Sequence, residues 1–83
     1  MSYCVKLYNE GHLEDLYYFH ILKNAKEFVD SYLEDGDYTN INDWNDRDPI
    51  IKTFSYVYGE NHMFPVKVNC AFLITKIKFN DED

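Results

Sequence analysis

LEDLYYFHILKNAKEFVDSYLE, residues 13–34, is the stretch on which the fold turns. It supports two readings. Leu13, Leu16, Tyr17, His20, Ile21, Asn24, Ala25, Phe28, Val29, Tyr32 and Leu33 fit one helical stripe, which gives a single helix from about residue 12 to 34. Residues 16–22, however, are apolar on both parities, the pattern of a buried central strand. They are also rich in poor helix formers, and a helix would leave Tyr18, Phe19 and Leu22 off the stripe. Asn24 followed by Glu27 has the spacing of a capping box. The balance favours a strand followed by a helix over about residues 24–34. In that helix Ala25, Phe28, Val29, Tyr32 and Leu33 form the apolar face, and Gly36 is the stop.

Upstream, Ser2–Asn9 alternates cleanly. Tyr3, Val5 and Leu7 share one side, and Cys4, Lys6 and Tyr8 the other, as in a strand. Asn9-Glu10-Gly11-His12 is a turn signal. Downstream, Asp35–Pro49 reads as a polar loop, long for so small a chain. Ile50–Tyr58 reads as a strand and Gly59-Glu60-Asn61-His62 as the turn after it. Val66–Phe79 is a further strand that Pro65 can open. Its apolar parity switches between Ile74 and Ile77, which predicts a bulge near Thr75-Lys76. Residues 80–83 are expected to fray.

The expectation is one acidic α+β domain over residues 1–83, in the order ββαββ. Four mostly antiparallel strands form its sheet, with one helix packed on one face. One helix cannot cover four strands. A Tyr-rich open face is therefore expected, and through it a homodimer or structural subunit could assemble.

Eight Tyr, six Phe and one Trp among 83 residues supply enough apolar surface for a core. Fifteen acids against eight bases leave a net charge of −7. That balance disfavours direct nucleic-acid binding and docking on an anionic membrane, both of which draw on Lys and Arg. It favours a basic protein surface as partner. The start of the chain lacks a signal-peptide pattern, and no apolar run approaches a membrane span. With two cysteines, Cys4 and Cys70, the expected setting is the cytoplasm with reduced thiols. The richness in Asn, Lys, Ile, Tyr and Phe fits an A/T-rich genome, hence a bacterial or phage-infected cell.

The strongest functional constellation is the acidic loop. Glu34, Asp35, Asp37, Asp43, Asp46 and Asp48 lie close together with Tyr38 and Trp44. Clustered carboxylates steer a basic partner, and Trp and Tyr are the usual anchors of a binding hot spot. These eight residues are the predicted partner-binding site of a non-enzymatic acidic module. Its electrostatics would resemble a nucleic-acid backbone and suit a phage-type inhibitor of a basic host protein. The competing reading is a solvated loop with Trp44 folded back as a core plug.

Other chemistry is weakly supported. A calcium loop starting at Asp35 places Asn40 at the required Gly position and Asp46 at the last ligand position. Cys4, His12, His20, His62 and Cys70 lack zinc-ligand spacing. A nucleophilic Cys70 with His20 or His62 has no oxyanion or exposed-turn signature, and His20 reads as a hydrogen-bonded core histidine. Stacking of a single strand on Tyr17, Phe19, Tyr56 and Tyr58 would need a positive groove, and Lys67, Lys76 and Lys78 of the last strand are the only cationic cluster. No cofactor, metal or catalytic residue is expected.

Overall fold

The computed structural model describes residues 2–45, 47, 49–59 and 61–77. Within them the chain runs β1 (Ser2–Asn9), β2 (His12–Phe19), α1 (Leu22–Glu34), β3 (Ile50–Tyr58) and β4 (Val66–Ile77). The strands form one antiparallel sheet in the order β2-β1-β4-β3. Helix α1 packs on one face, completing the expected ββαββ arrangement.

Strand β1 turns into β2 through two residues. Glu10 (φ 50°) and Gly11 (φ 82°) both adopt positive φ, the requirement of the tight hairpin turn whose twist matches paired strands. Glycine takes that conformation freely, whereas Glu10 needs support. Its N–H donates to the Asn69 carbonyl at 2.9 Å, and its Oε2 accepts the Asn69 N–H at 3.3 Å. The turn is thereby tied to β4.

The expected burial of β2 is corrected. It is an edge strand, with Leu16 and Tyr18 exposed, and the two central strands are β1 and β4. The two-residue turn lays β2 beside β1, and β4 then takes the other side of β1. The apolar residues of β2 on the second parity therefore face solvent. The predicted bulge also moves. Strand β4 keeps an unbroken register with β1 through Ile77, so Ile77 simply faces the side opposite Ile74. The irregularity lies in the β1–β2 ladder between Leu7 and Tyr8. Lys78, Phe79 and the tail lie outside the described residues.

On the helix side the sheet presents Val5, Leu7, Phe54, Cys70, Phe72 and Ile74, which meet Ala25, Val29 and Leu33 of α1 in one buried cluster. These three helix residues recur every fourth position, on a single face. Full burial of each large apolar group among them contributes about 1.5–3 kcal/mol. Aromatics extend the seam. Phe28 lies 4.5 Å from Tyr17 and 5.3 Å from Phe19, and Tyr32 meets Phe72 edge-on at 5.2 Å. The helix begins two residues before the predicted start. Its N-cap is Ile21, without a side-chain cap bond, so Asn24 and Glu27 form no capping box. Packing of Leu22 against the core sets the start in place of a cap. The tyrosines gather on the helix side, contrary to the expected Tyr-rich open face: Tyr3, Tyr17, Tyr32, Tyr38 and Tyr56 all pack against the core.

Residues 39–45 cover the outer edge of β3. Thr39 and Ser55 exchange two backbone hydrogen bonds, as do Asn45 and Ile51, and the Asn42 N–H donates to Thr53. The expected loop thus behaves as an irregular extra strand that satisfies an exposed sheet edge. Ser55 anchors it from a site 1 % exposed. Its hydroxyl accepts from Asn40 Nδ2 at 2.9 Å, meets the Thr39 hydroxyl at 3.1 Å and lies 3.2 Å from the Thr39 carbonyl. Ser55→Ala should lower stability by about 1 kcal/mol, since its partners Thr39 and Asn40 are exposed and can turn to water instead. Urea denaturation measures that loss, and amide exchange at Asn42 and Asn45 should accelerate. An unchanged midpoint with unchanged exchange would show that the hydroxyl does not hold the segment.

Candidate functional site

Helix α1 lies over β1 and β2 and ends before it reaches the far end of the sheet. Beyond its last turn the helix-side face opens into a groove of about 690 Å³. Its floor is Leu7, Phe54 and Cys70, its aromatic wall is Tyr32, Tyr38 and Tyr56, and its acids are Glu14, Asp15 and Asp37. No lysine, arginine or histidine is among the described residues that line it.

Each group is placed by the backbone. The β1–β2 register sets Asp15 opposite Leu7, on the same side of the sheet as Tyr17. Asp15 is held at both oxygens: Oδ1 accepts the Leu16 N–H at 3.1 Å and Oδ2 accepts the Tyr17 hydroxyl at 2.8 Å. That hydrogen bond to a carboxylate is the main reason Tyr17 ionises late, at about 12. Tyr38 stacks on Tyr32 at 5.7 Å and meets Phe54 edge-on at 5.0 Å. Burial, reinforced by the neighbouring Tyr32 hydroxyl, raises its pKa further still. Gly36 makes this position possible, since a Cβ there would come within 2.2 Å of the Tyr38 ring. The Tyr56 hydroxyl accepts a hydrogen bond from Asn9 Nδ2 at 3.2 Å.

The eight predicted site residues disperse. Asp37 and Tyr38 line the groove. Asp35 caps the helix C-terminus and is exposed. Glu34 lines a separate depression beside Asp30, Ile41 and Lys52. Asp43 is exposed on the edge-covering segment, and Asp46 and Asp48 lie outside the described residues. Trp44 is half-buried against the core cluster. Lys26 and Lys52 lie 5.6 and 5.1 Å from its ring centre, and Lys52 pairs with Asp30 at 3.0 Å. Its indole N–H is buried without a hydrogen-bond partner. Trp44 thus closes the gap between α1 and β3.

Glu14, Asp15, Tyr32 and Tyr56 were not singled out as acids or aromatics of one site. The available signal was Asp15 on the same parity as Tyr17 and Phe19, a carboxylate in line with core-facing rings. Cys70 sits in the groove floor, but its thiol pKa is raised by burial and by the Glu10 and Glu14 carboxylates, which keeps it protonated. His20 is exposed, contrary to the core position expected, and its Nδ1 lies 3.2 Å from the Ser2 hydroxyl. Lys67 and Lys76 project to opposite sides of β4, and Lys78 lies outside the described residues. Among the described residues no three His, Cys, Asp or Glu side chains converge as metal ligands would. No helix among them is long and apolar enough to cross a membrane. In comparisons with known proteins, no family model, curated protein or solved structure matches this chain.

The indole and the Tyr17–Asp15 pair can each be tested. Trp44→Ala should cost about 2 kcal/mol through lost packing, whereas Trp44→Phe should stay within about 1 kcal/mol, because it keeps a ring and removes an unpaired N–H. Circular dichroism in urea measures both; equal losses would mean that the indole N–H does find a partner. Tyr17 titrates near 10 when unfolded and at about 12 when folded. Its contribution is therefore complete below pH 10 and is lost as pH climbs from 10 to 12. Tyr17→Phe should make the alkaline fall in stability shallower, and identical pH profiles would refute the pairing.

Proposed function

We propose that the chain is a non-enzymatic binding module that holds a basic segment of another protein, with a lysine or arginine head group seated in the groove at the end of α1. The observation that supports this reading is the lining itself, in which three carboxylates and three tyrosines meet with no cationic residue among the described ones. Carboxylates attract an ammonium or guanidinium group, and tyrosine faces add cation–π attraction, so the two favour the same ligand. Asp15 is fixed in advance by Leu16 and Tyr17, which lowers the ordering cost of binding.

Charge beyond the groove serves the same end. A net charge of −7 raises the encounter rate with a basic surface and repels nucleic acid and anionic lipid. The partner could itself be a nucleic-acid-binding protein whose basic site is occupied by this module. The acidic loop then contributes mainly through Asp37 and Tyr38, with Glu34, Asp35 and Asp43 adding to the long-range field.

The test is an NMR titration with a short blocked peptide containing two lysines, repeated over a salt series. Amide shifts should concentrate at Asp15, Tyr38 and Tyr56, and affinity should fall as salt rises. Asp15→Asn or Asp37→Asn should weaken binding about five- to tenfold, the scale of one charge-assisted contact. Asp43→Asn, outside the groove, should change it less than twofold. Shifts elsewhere on the surface, or affinity indifferent to salt and to both groove variants, would overturn the reading.

A further inference from the structure

The groove continues into a projecting ribbon. Strand β1 ends at Asn9, opposite Cys70, while β3 and β4 run on as a pair through Tyr56↔Val68 to Tyr58↔Val66. That ribbon has neither β1 beside it nor α1 over it. An isolated two-stranded hairpin is marginal in water, and its apolar groups normally find cover. Here Tyr58 is 66 % exposed, Val66 54 %, Met63 86 % and Phe64 81 %. By register Tyr58 and Val66 face the same side as Phe54, Tyr56 and Phe72, the side that α1 covers further along. Apolar surface and acidic groove are therefore one continuous strip.

We propose, building on the groove's role as a cation site, that this strip docks an amphipathic helix of a partner protein. The apolar side of that helix would cover Tyr58, Val66 and Phe64, and its lysine or arginine would enter between Asp15 and Asp37. Three observations select this occupant. Tyr58 and Val66 lie on the face of the ribbon, with exposed Phe64 in the turn beside them, and in this molecule that face takes a helix, as Ala25, Val29 and Leu33 of α1 show. The acids at the inner end have no cationic neighbour among the described residues of the lining, which favours a partner that is basic there. A second copy is a poor complement, because it brings a further −7 charge and its own helix already has its apolar face buried. About three turns of helix span the length from the groove to the ribbon tip.

The experiment compares two probes on the full chain. One is the short two-lysine peptide, and the other is a helical peptide of about fourteen residues with a leucine face and a flanking lysine row. The helical peptide should bind at least tenfold more tightly and shift the amides of Tyr58, Phe64 and Val66 as well as those of the groove. A Tyr58→Ser, Phe64→Ser double variant changes exposed positions. It should cost the helical peptide about tenfold in affinity and leave the short peptide unaffected. Equal affinity of both peptides, or indifference of the helical peptide to the double variant, overturns the helix-docking strip while the groove reading stands. Failure of the short peptide removes the groove reading itself. Concentration-dependent dimerisation abolished by the double variant would assign the strip to a second copy and likewise overturn the proposal.

Discussion

The packing of Ala25, Val29 and Leu33 against Val5, Phe72 and Ile74 holds helix and sheet together, and the limited reach of that contact shapes the remaining surface. A helix of 13 residues spans about 20 Å. Strand β4 alone has 12 residues, which at about 3.4 Å each extend roughly twice as far. One helix therefore cannot cover the face it packs on. Over β3 the deficit is made up by Tyr38 and Trp44 from the segment after the helix, and beyond the last turn it is left open. The groove and the exposed ribbon both arise from this mismatch of lengths.

The order and type of the elements were legible because each carries a strong local period. The 3.6-residue stripe of α1 and the alternation in β1 leave little freedom. The competing single long helix failed on the poor helix formers of residues 16–22, which form the second half of β2 and the junction to α1. Position in the sheet was not legible. Residues on both parities of β2 are apolar, yet it lies at the edge, because a two-residue turn and the later insertion of β4 decide neighbours that composition cannot. The start of α1 differs from the expected one for a related reason. A capping pair at Asn24 and Glu27 contributes about 1 kcal/mol, less than the burial that Leu22 gains by joining the helix.

The acids of the site were only partly legible. Sequence proximity selects residues 34–48, but proximity along a loop is not proximity in space. Residues 39–45 must pair with β3 through their backbones, and that pairing spreads their side chains along an edge. Asp37 and Tyr38 remain at the groove because Gly36 admits the Tyr38 ring over Phe54. Their partners Glu14 and Asp15 come from β2, more than twenty residues earlier; the parity of Asp15 with Tyr17 hinted at its side, and the β1–β2 register sets it opposite Leu7.

Trp44 shows how the same residue can argue for either reading until its surroundings are known. An indole beside carboxylates looks like an exposed anchor. In the structure its ring faces Lys26 and Lys52, and its N–H is buried. Two lysines lie against that ring, one of them also paired with Asp30, in a junction that Glu27 and Glu34 line as well. These two lysines thus lie on the side of α1 that faces β3, whereas no described residue lining the groove beyond the helix end is cationic. On the proposed reading, a basic ligand would be drawn toward Asp15 and Asp37, where no described residue of the lining carries positive charge. On that reading net charge gives attraction without an address, and the acids gathered in the groove supply the address.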